Sequence, residues 1–538
     1  MQRILRYWRT LKHLRWAQIA ARVRFRLARP RVNLAPAPQR ARATGAWMAS
    51  VERAQMIHAG RARFIGVERD IASTSAWNDP ACEKLWLYNL HYFEDLLAPA
   101  DATRRREQAA LVLRWIRENP APIGNGWEPY PISLRVCNWI KWSREGGSLD
   151  PDAWQSLAVQ TRWLSRRIEW HLLANHLFVN AKALVFAGLA FEGPEAERWL
   201  RQGLAILHKQ LPAQVLADGG HFERSPMYHA LILEDLLDLI NAAQTWGGRI
   251  DDATIAGWRD AAAGMLAWLR RMTHPDGSVV FFNDAANQIA PTFIALDAYA
   301  ARLRVASPAC AMKPIEWMHE SGYARAEIAA AVLFCDLAPV GPDEQPGHAH
   351  ADTLSCELAI GGHPIIVNSG TSTYAVGAQR ALERSTRAHN TLEINGENSS
   401  EVWGGFRVGR RARVTKASVV GDGQGVTITG AHDGYAHLSG SPTHVRTWTL
   451  RPGSLTIADE VQGHFASAQA RIHLHPLVTA GEDGALHLPC GRRMRVEAHG
   501  GTLHVERTAW HPSFGTSHDN LCLVLRMEGA SGSLVLRW

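Results

Sequence analysis

The sequence predicts two unlike halves, a helical one followed by an antiparallel β-sandwich. Three observations lead there. From about residue 80 to 325, apolar residues recur with the helical period between breaks marked by Gly and Pro. From about 323 onward they fall into short alternating runs separated by turn residues. The chain of 538 residues is 46 % hydrophobic and 20 % charged, long and apolar enough for two or more domains that each bury a core.

The chain opens on an arm. Residues 1–50 hold twelve Lys/Arg and no Asp/Glu, which leaves 46 basic against 51 acidic residues elsewhere, a balance of −5. The net charge of +7 therefore belongs to the arm, and nothing in the body suggests a nucleic-acid partner. Arg3, Arg6, Arg9, Lys12 and Arg15 recur at three-residue spacing beside Leu5, Trp8, Leu11 and Ile19. That pattern suits a helix packed on the body or one lying on an anionic membrane surface. No stretch approaches the ~20 apolar residues of a membrane span. No apolar core of a secretory signal is present, so a cytoplasmic location is expected, with a periplasmic one as the alternative. Pro30, Pro36, Pro38 and Gly45 mark a linker over 30–50.

Residues 51–322 form the helical domain. Asp101 or Thr103 caps a helix carrying Leu111, Leu113, Trp115 and Ile116, and Asp150-Pro151 opens another. Further helices are predicted near 171–191, 194–211, 227–246 and 252–273. Their similar lengths and short connections imply stacked antiparallel pairs, as in a bundle, a solenoid or an α/α toroid. Residues 323–538 supply the strands, among them Thr353–Ile360, Val445–Leu450 and Cys522–Arg526. The seven Cys form no CxxC pair, which argues against a disulfide framework and a thiolate zinc site; most are expected as buried free thiols.

Several polar residues exceed what packing needs. In His348-Ala349-His350-Ala351-Asp352, an extended backbone would put both imidazoles and the carboxylate on one side, suited to metal binding, proton handling or a plain turn. The segment from His171 to Phe186 is apolar nearly all round, as in a buried helix. Asn175 and His176 sit in its middle, about 100° apart, either as a satisfied core pair or as the lining of a cleft. Ser225-Pro226 starts the next long helix and puts Tyr228 in its first turn, within reach of a ligand. Glu223 and Arg224 either pair with each other or hold substrate hydroxyls. Trp127 and Tyr130 lie in a turn-rich loop that suits a sugar platform or structural packing.

These motifs together resemble the heparinase II/III family of polysaccharide lyases. The resemblance rests on Asn175-His176, Ser225-Pro226-x-Tyr228-His229, Gly347-His348-Ala349-His350-Ala351-Asp352 and His389-Asn390-Thr391, and covers roughly 80–530. It implies an incomplete α/α toroid followed by an antiparallel β-sandwich, and β-elimination on a uronate-containing anionic polysaccharide. Asn175 and His176 would neutralise the uronate carboxylate. Tyr228 and His348 would share the acid and base roles. Glu223, Arg224, His229, Trp127 and Tyr130 are the expected substrate contacts. No cofactor is required. The resemblance also implies a structural zinc ion held by His350, position 368 and His389, but Asn368 stands where the family has Asp and is the weaker ligand. The alternative is a non-catalytic carbohydrate-binding or exopolysaccharide-assembly protein on the same scaffold.

Overall fold

The structure, a computed structural model, describes residues 2–306 and 312–538; Cys310 lies outside them. Two short helices open the chain, α1 (Gln2–Leu11) and α2 (Trp16–Leu27). Residues 30–50, expected as a linker, are strapped along the helical half instead. Ala41 N donates to Ala190 O, and Trp47 Nε1 donates to Glu145. Pro and Gly break regular structure there, but the freed backbone groups find partners on the body. A three-stranded sheet follows, Ile57–His58, Arg61–Phe64 and Val67–Asp70. Its strands are too short to show an alternation in sequence.

Helices α3 (Lys84–Tyr92), α4 (Ala102–Glu118), α5 (Pro129–Arg144), α6 (Pro151–Arg166), α7 (Ala174–Ala190), α8 (Pro194–Gln214), α9 (Pro226–Thr245), α10 (Asp252–Arg271) and α11 (Phe293–Arg302) come next. Asp101 and Asp150 cap α4 and α6 through the N–H groups of Arg104 and Ala153. Helices α3, α5, α7 and α9 pack on one another in succession, with α6, α8 and α10 each packed outside the helix before it. The inner α7 and α9 are buried almost all round, whereas α4 and α10 bury one stripe. This is an incomplete α/α toroid. Successive helices reverse direction, so the inner ones run the same way and their first turns open on one face.

The β half is antiparallel throughout its sheets. Strands Ile315–Met318, Tyr323–Ile328, Ala331–Asp336, Cys356–Ile360 and His363–Ile366 form a five-stranded meander. It therefore begins at Ile315, ahead of the change of period near 323. A four-stranded sheet (Gly501–Trp510, His518–Met527, Ala468–His473, Leu392–Ile394) connects to it through a bridge between Ile366 and Leu474. The eight-stranded sheet runs from Val414–Gly421 through Thr443–Arg451 and Ser531–Arg537 to Thr479–Ala480. Leu358, Ile472 and Trp448, one from each sheet, lie in a single core, as in a sandwich. Cys82, Cys137, Cys335, Cys356 and Cys522 are buried free thiols, and Cys490 is half-buried. Among the described residues no helix is long and apolar enough to cross a membrane.

Candidate active site

The site is built from the first turns of three inner helices. Leu173 and Ala174 have φ of 60° and 50°, so α7 begins at Ala174, later than the apolar run indicates. Asn175 and His176 thus stand in its first turn rather than at mid-helix. Tyr130 occupies the first turn of α5, and Tyr228 that of α9. Ser225 Oγ accepts from Tyr228 N at 3.2 Å, the cap that the Ser-Pro start predicts.

One carboxylate, absent from the sequence reading, joins these helices to the β half. Asp284 lies between α10 and α11. Its Oδ2 accepts from His348 Nδ1 at 3.0 Å and from Arg380 Nη2 at 2.8 Å. Its Oδ1 is 2.8 Å from His350 Nε2 and also accepts from Arg380 Nη1. The backbone of Asp284 is tied as well: its N–H donates to His348 O, and its C=O accepts from Ser225 Oγ, the cap of Tyr228's helix. Burial would raise this carboxyl, but the Arg380 guanidinium and the two imidazoles hold it well below the usual range.

A carboxylate can only accept, so His348 Nδ1 carries the proton toward Asp284. The other nitrogen, Nε2, is then the one that can offer a lone pair. It points at the toroid, 3.4 Å from Asn175 Nδ2 and 3.8 Å from Glu223 Oε2. The His348 ring stacks on Tyr228 with centroids 3.6 Å apart. The Tyr228 hydroxyl is 3.0 Å from that of Tyr374, and burial foremost raises its pKa well above the ordinary phenol value. Asn175 Nδ2 donates to both oxygens of Glu223, at 3.1 and 3.2 Å. Asn175, Glu223, Tyr228 and His348 therefore meet around one point between the halves.

His176 forms the neighbouring wall. Its Nδ1 is 3.2 Å from Glu169 Oε2, and its ring lies 4.4 Å from that of Tyr130. Burial opposes the charged ring, but Glu169, by charge and hydrogen bond, outweighs it, with Glu223 and Glu128 adding, and the pKa is raised. The side chain keeps 29 % of its surface open. Glu169 thus favours the protonated, donating form of the ring beside Asn175.

Other expected contacts lie elsewhere. Arg224 does not pair with Glu223; with φ of 58° it turns away, and its guanidinium donates to the Ser321 and Phe222 carbonyls. His229 is buried, donates from Nε2 to Met265 O at 2.9 Å and packs on Trp268, so it fastens α9 to α10. Trp127 is buried, donates to Asn119 O and lies under Trp115, a core aromatic rather than a sugar platform. The stretch from His348 to Asp352 is a loop, not a strand. Its three polar groups still converge, because His348 and His350 reach Asp284 while Asp352 accepts from Asn283 N at 2.8 Å.

The expected zinc ligands do not fit a metal ion. His350 Nδ1 is 3.1 Å from His389 Nε2, but Asn368 Oδ1 sits at 3.1 Å from His389 Nδ1, across the ring. His350 spends its other nitrogen on Asp284. The three donors share no common point, and the Asn368 amide nitrogen has no partner. Among the described residues no group of three or more His, Cys, Asp or Glu could hold a metal. The chain of contacts that replaces convergence is a hydrogen-bonded brace behind His348.

Sequence reasoning missed Asp284, Arg380, Tyr374 and Glu169. The one available signal was Asn283-Asp284 directly after the apolar run Val279–Phe282, a polar pair where an apolar segment ends.

Comparison with known proteins follows the same division. A model described as Heparinase II/III N-terminus matches residues 103–301, and one described as Heparinase II/III-like, C-terminal matches 311–538. A heparin-sulfate lyase of Pedobacter heparinus is 25 % identical over 336 residues, 56 % of this chain and 50 % of that protein. The chain thus spans about half the length of that lyase. FtsZ-localized protein C of Caulobacter vibrioides is 27 % identical over 453 residues, 78 % of this chain and 73 % of that protein. A crystal structure of heparinase III superposes with TM-score 0.66 at 16 % identity, covering 97 % of this chain and 85 % of that one, a likeness of fold.

Proposed function

The chain belongs to the heparinase II/III-like family, and from that premise we propose that it is a polysaccharide lyase that cleaves a uronate-containing anionic polysaccharide by β-elimination. The observation that carries this reading is the meeting of Asn175 and Tyr228, from the toroid, with Nε2 of His348, from the β half. Elimination needs three things at one sugar: a neutralised carboxylate, a base at C5 and an acid at the 4-oxygen.

The Asn175 amide and the His176 ring supply the first. They draw charge from the uronate carboxylate and so make the C5–H bond more acidic. His348 Nε2 then takes the C5 proton, with Asp284 fixing the ring and stabilising the imidazolium that forms. The C5–H electron pair becomes the C4=C5 double bond as the C4–O bond breaks. Tyr228, held neutral by burial, gives its proton to the departing oxygen. One proton is gained and one given; His348 loses its proton to solvent and Tyr228 regains one from solvent, which restores the starting state. Glu223 positions Asn175. Tyr130 offers an aromatic face beside His176.

The test is incubation with heparan sulfate, alginate and other uronate polysaccharides while following the absorbance of the conjugated unsaturated uronate. Product from wild type and none from Tyr228→Phe supports the assignment; Tyr228→Phe cleaving at the wild-type rate removes it. A second reading, a non-catalytic carbohydrate-binding or assembly protein, draws support from the wider alignment with FtsZ-localized protein C than with the lyase. Oligosaccharide binding without product across the panel would favour it.

A further inference from the structure

The arm helices are mounted with an apolar stripe of each facing outward. Arg6 and Arg9 reach Glu401, and Thr10 Oγ1 accepts from Trp403 Nε1, all from one side of α1. Gln18 and Phe25 play that part in α2, through Glu344 O and the ring of His171. The opposite sides are apolar and open to solvent. Ile4, Trp8 and Leu11 form one stripe, and Trp16, Val23 and Leu27 the other; Trp8 is 61 % exposed, Trp16 84 % and Leu27 75 %. At 3.6 residues per turn, Arg3 and Lys12 lie about a quarter-turn to either side of the first stripe, and Arg24 and Arg26 of the second. All four are exposed.

We infer that the N-terminal arm is a docking surface for an anionic lipid bilayer. An apolar stripe flanked by long cationic side chains puts its aromatics at the acyl boundary while the charges reach up to the headgroups. The charge of the arm selects this occupant. Arg3, Lys12, Arg24 and Arg26 beside the two stripes, with no Asp/Glu in residues 1–50, complement a field of anionic headgroups. A second copy would set these same cations against their like. The ion pairs of Arg6 and Arg9 with Glu401 and the Gln18 bond to Glu344 O use the inward sides, so docking leaves the arm on the body. This inference is independent of the catalytic reading.

The full chain is mixed with vesicles of phosphatidylcholine, alone or with phosphatidylglycerol added, and sedimented. Wild type is expected to pellet with the anionic vesicles and to stay in solution with the neutral ones. The double substitution Trp8→Glu and Trp16→Glu is expected to cut the bound fraction about tenfold with an unchanged melting temperature, since both rings are exposed. Arg3→Glu with Lys12→Glu should weaken binding and flatten its dependence on salt. Wild type left in the supernatant with both vesicle types overturns the proposal. So does undiminished binding by the tryptophan variant. A wild-type dimer that the tryptophan substitutions dissolve would overturn it in favour of a second copy.

Discussion

One cluster of buried charge lies at the hub of the helical ring and another at the seam between the halves. At the hub, Lys182 of α7 donates to Asp235 and Asp238 of α9 at 2.6 and 2.7 Å. Lys141 of α5 donates to Asp238 at 2.8 Å, and Tyr299 of α11 to its other oxygen at 2.9 Å. Every partner is protein, and the cluster ties the inner helices to one another. At the seam, Asp284 gathers Arg380, His348 and His350 just as tightly, yet the Nε2 of His348 faces the toroid with only a 3.4 Å contact to the Asn175 amide. Burial and charge are common to both. What separates a brace from a candidate site is one ring nitrogen turned across the seam, away from the ion pairs.

Removing that ring should give the largest effect. His348→Ala is expected to lower kcat about 10³-fold at an unchanged melting temperature, because Asp284 keeps Arg380 and His350. Comparable loss of rate and of stability would mean that His348, like Lys182, is structural. The hub gives the mirror result. Lys182→Met leaves Asp235 buried without its cation and Asp238 with Lys141 alone, and should cost about 3–5 kcal/mol of unfolding free energy. Denaturant melts read that cost, while kcat and KM of the folded protein stay at wild-type values.

The contrast was only half legible in the sequence. A switch from helical period to alternation announces the two halves, and Ser225-Pro226 announces the first turn that holds Tyr228. The hub was not legible, since Lys182 and Asp238 are separate points on apolar helices until the ring closes. Asp284 was hidden for the same reason: its partners His348 and Arg380 lie 64 and 96 residues away, and no local spacing encodes that. Trp127 and Tyr130 show the limit most closely. They share one loop and one chemistry, but the turn into α5 sends the first into the core and the second to the cleft. The start of α7 was misplaced because apolar residues continue upstream of Ala174, while the break is made by backbone angles at Leu173 and Ala174 that those residue types seldom adopt.

Asp284→Asn tests the seam from behind. The amide fits the same space but removes the charge that holds the Nδ1–H of His348 and faces Arg380. A fall in kcat of about a hundredfold is expected, with KM little changed because Asn175 and His176, the proposed contacts of the substrate carboxylate, are untouched. A large rise in KM instead would place Asp284 in substrate binding.

The smallest predicted effect concerns the wall formed by His176. Its pKa is raised against the pull of burial by Glu169 and, further off, by Glu223 and Glu128. A histidine raised on folding stabilises the protein fully below the unfolded value near ~6.5, and that contribution fades as pH rises through the folded value. Glu169→Gln removes the nearest charge and leaves burial in command, so the folded pKa must fall. If the protonated ring helps to neutralise a uronate, kcat/KM of wild type should decline on the alkaline side as His176 loses its proton. In Glu169→Gln that decline should begin at lower pH, with about a tenfold loss above it and nearly wild-type rates below it. The same substitution at the hub, Asp238→Asn, should leave the shape of the pH profile alone, because the groups it disturbs face no substrate. An alkaline limb that stays in place in Glu169→Gln would assign His176 to packing against Tyr130 and leave carboxylate neutralisation to Asn175.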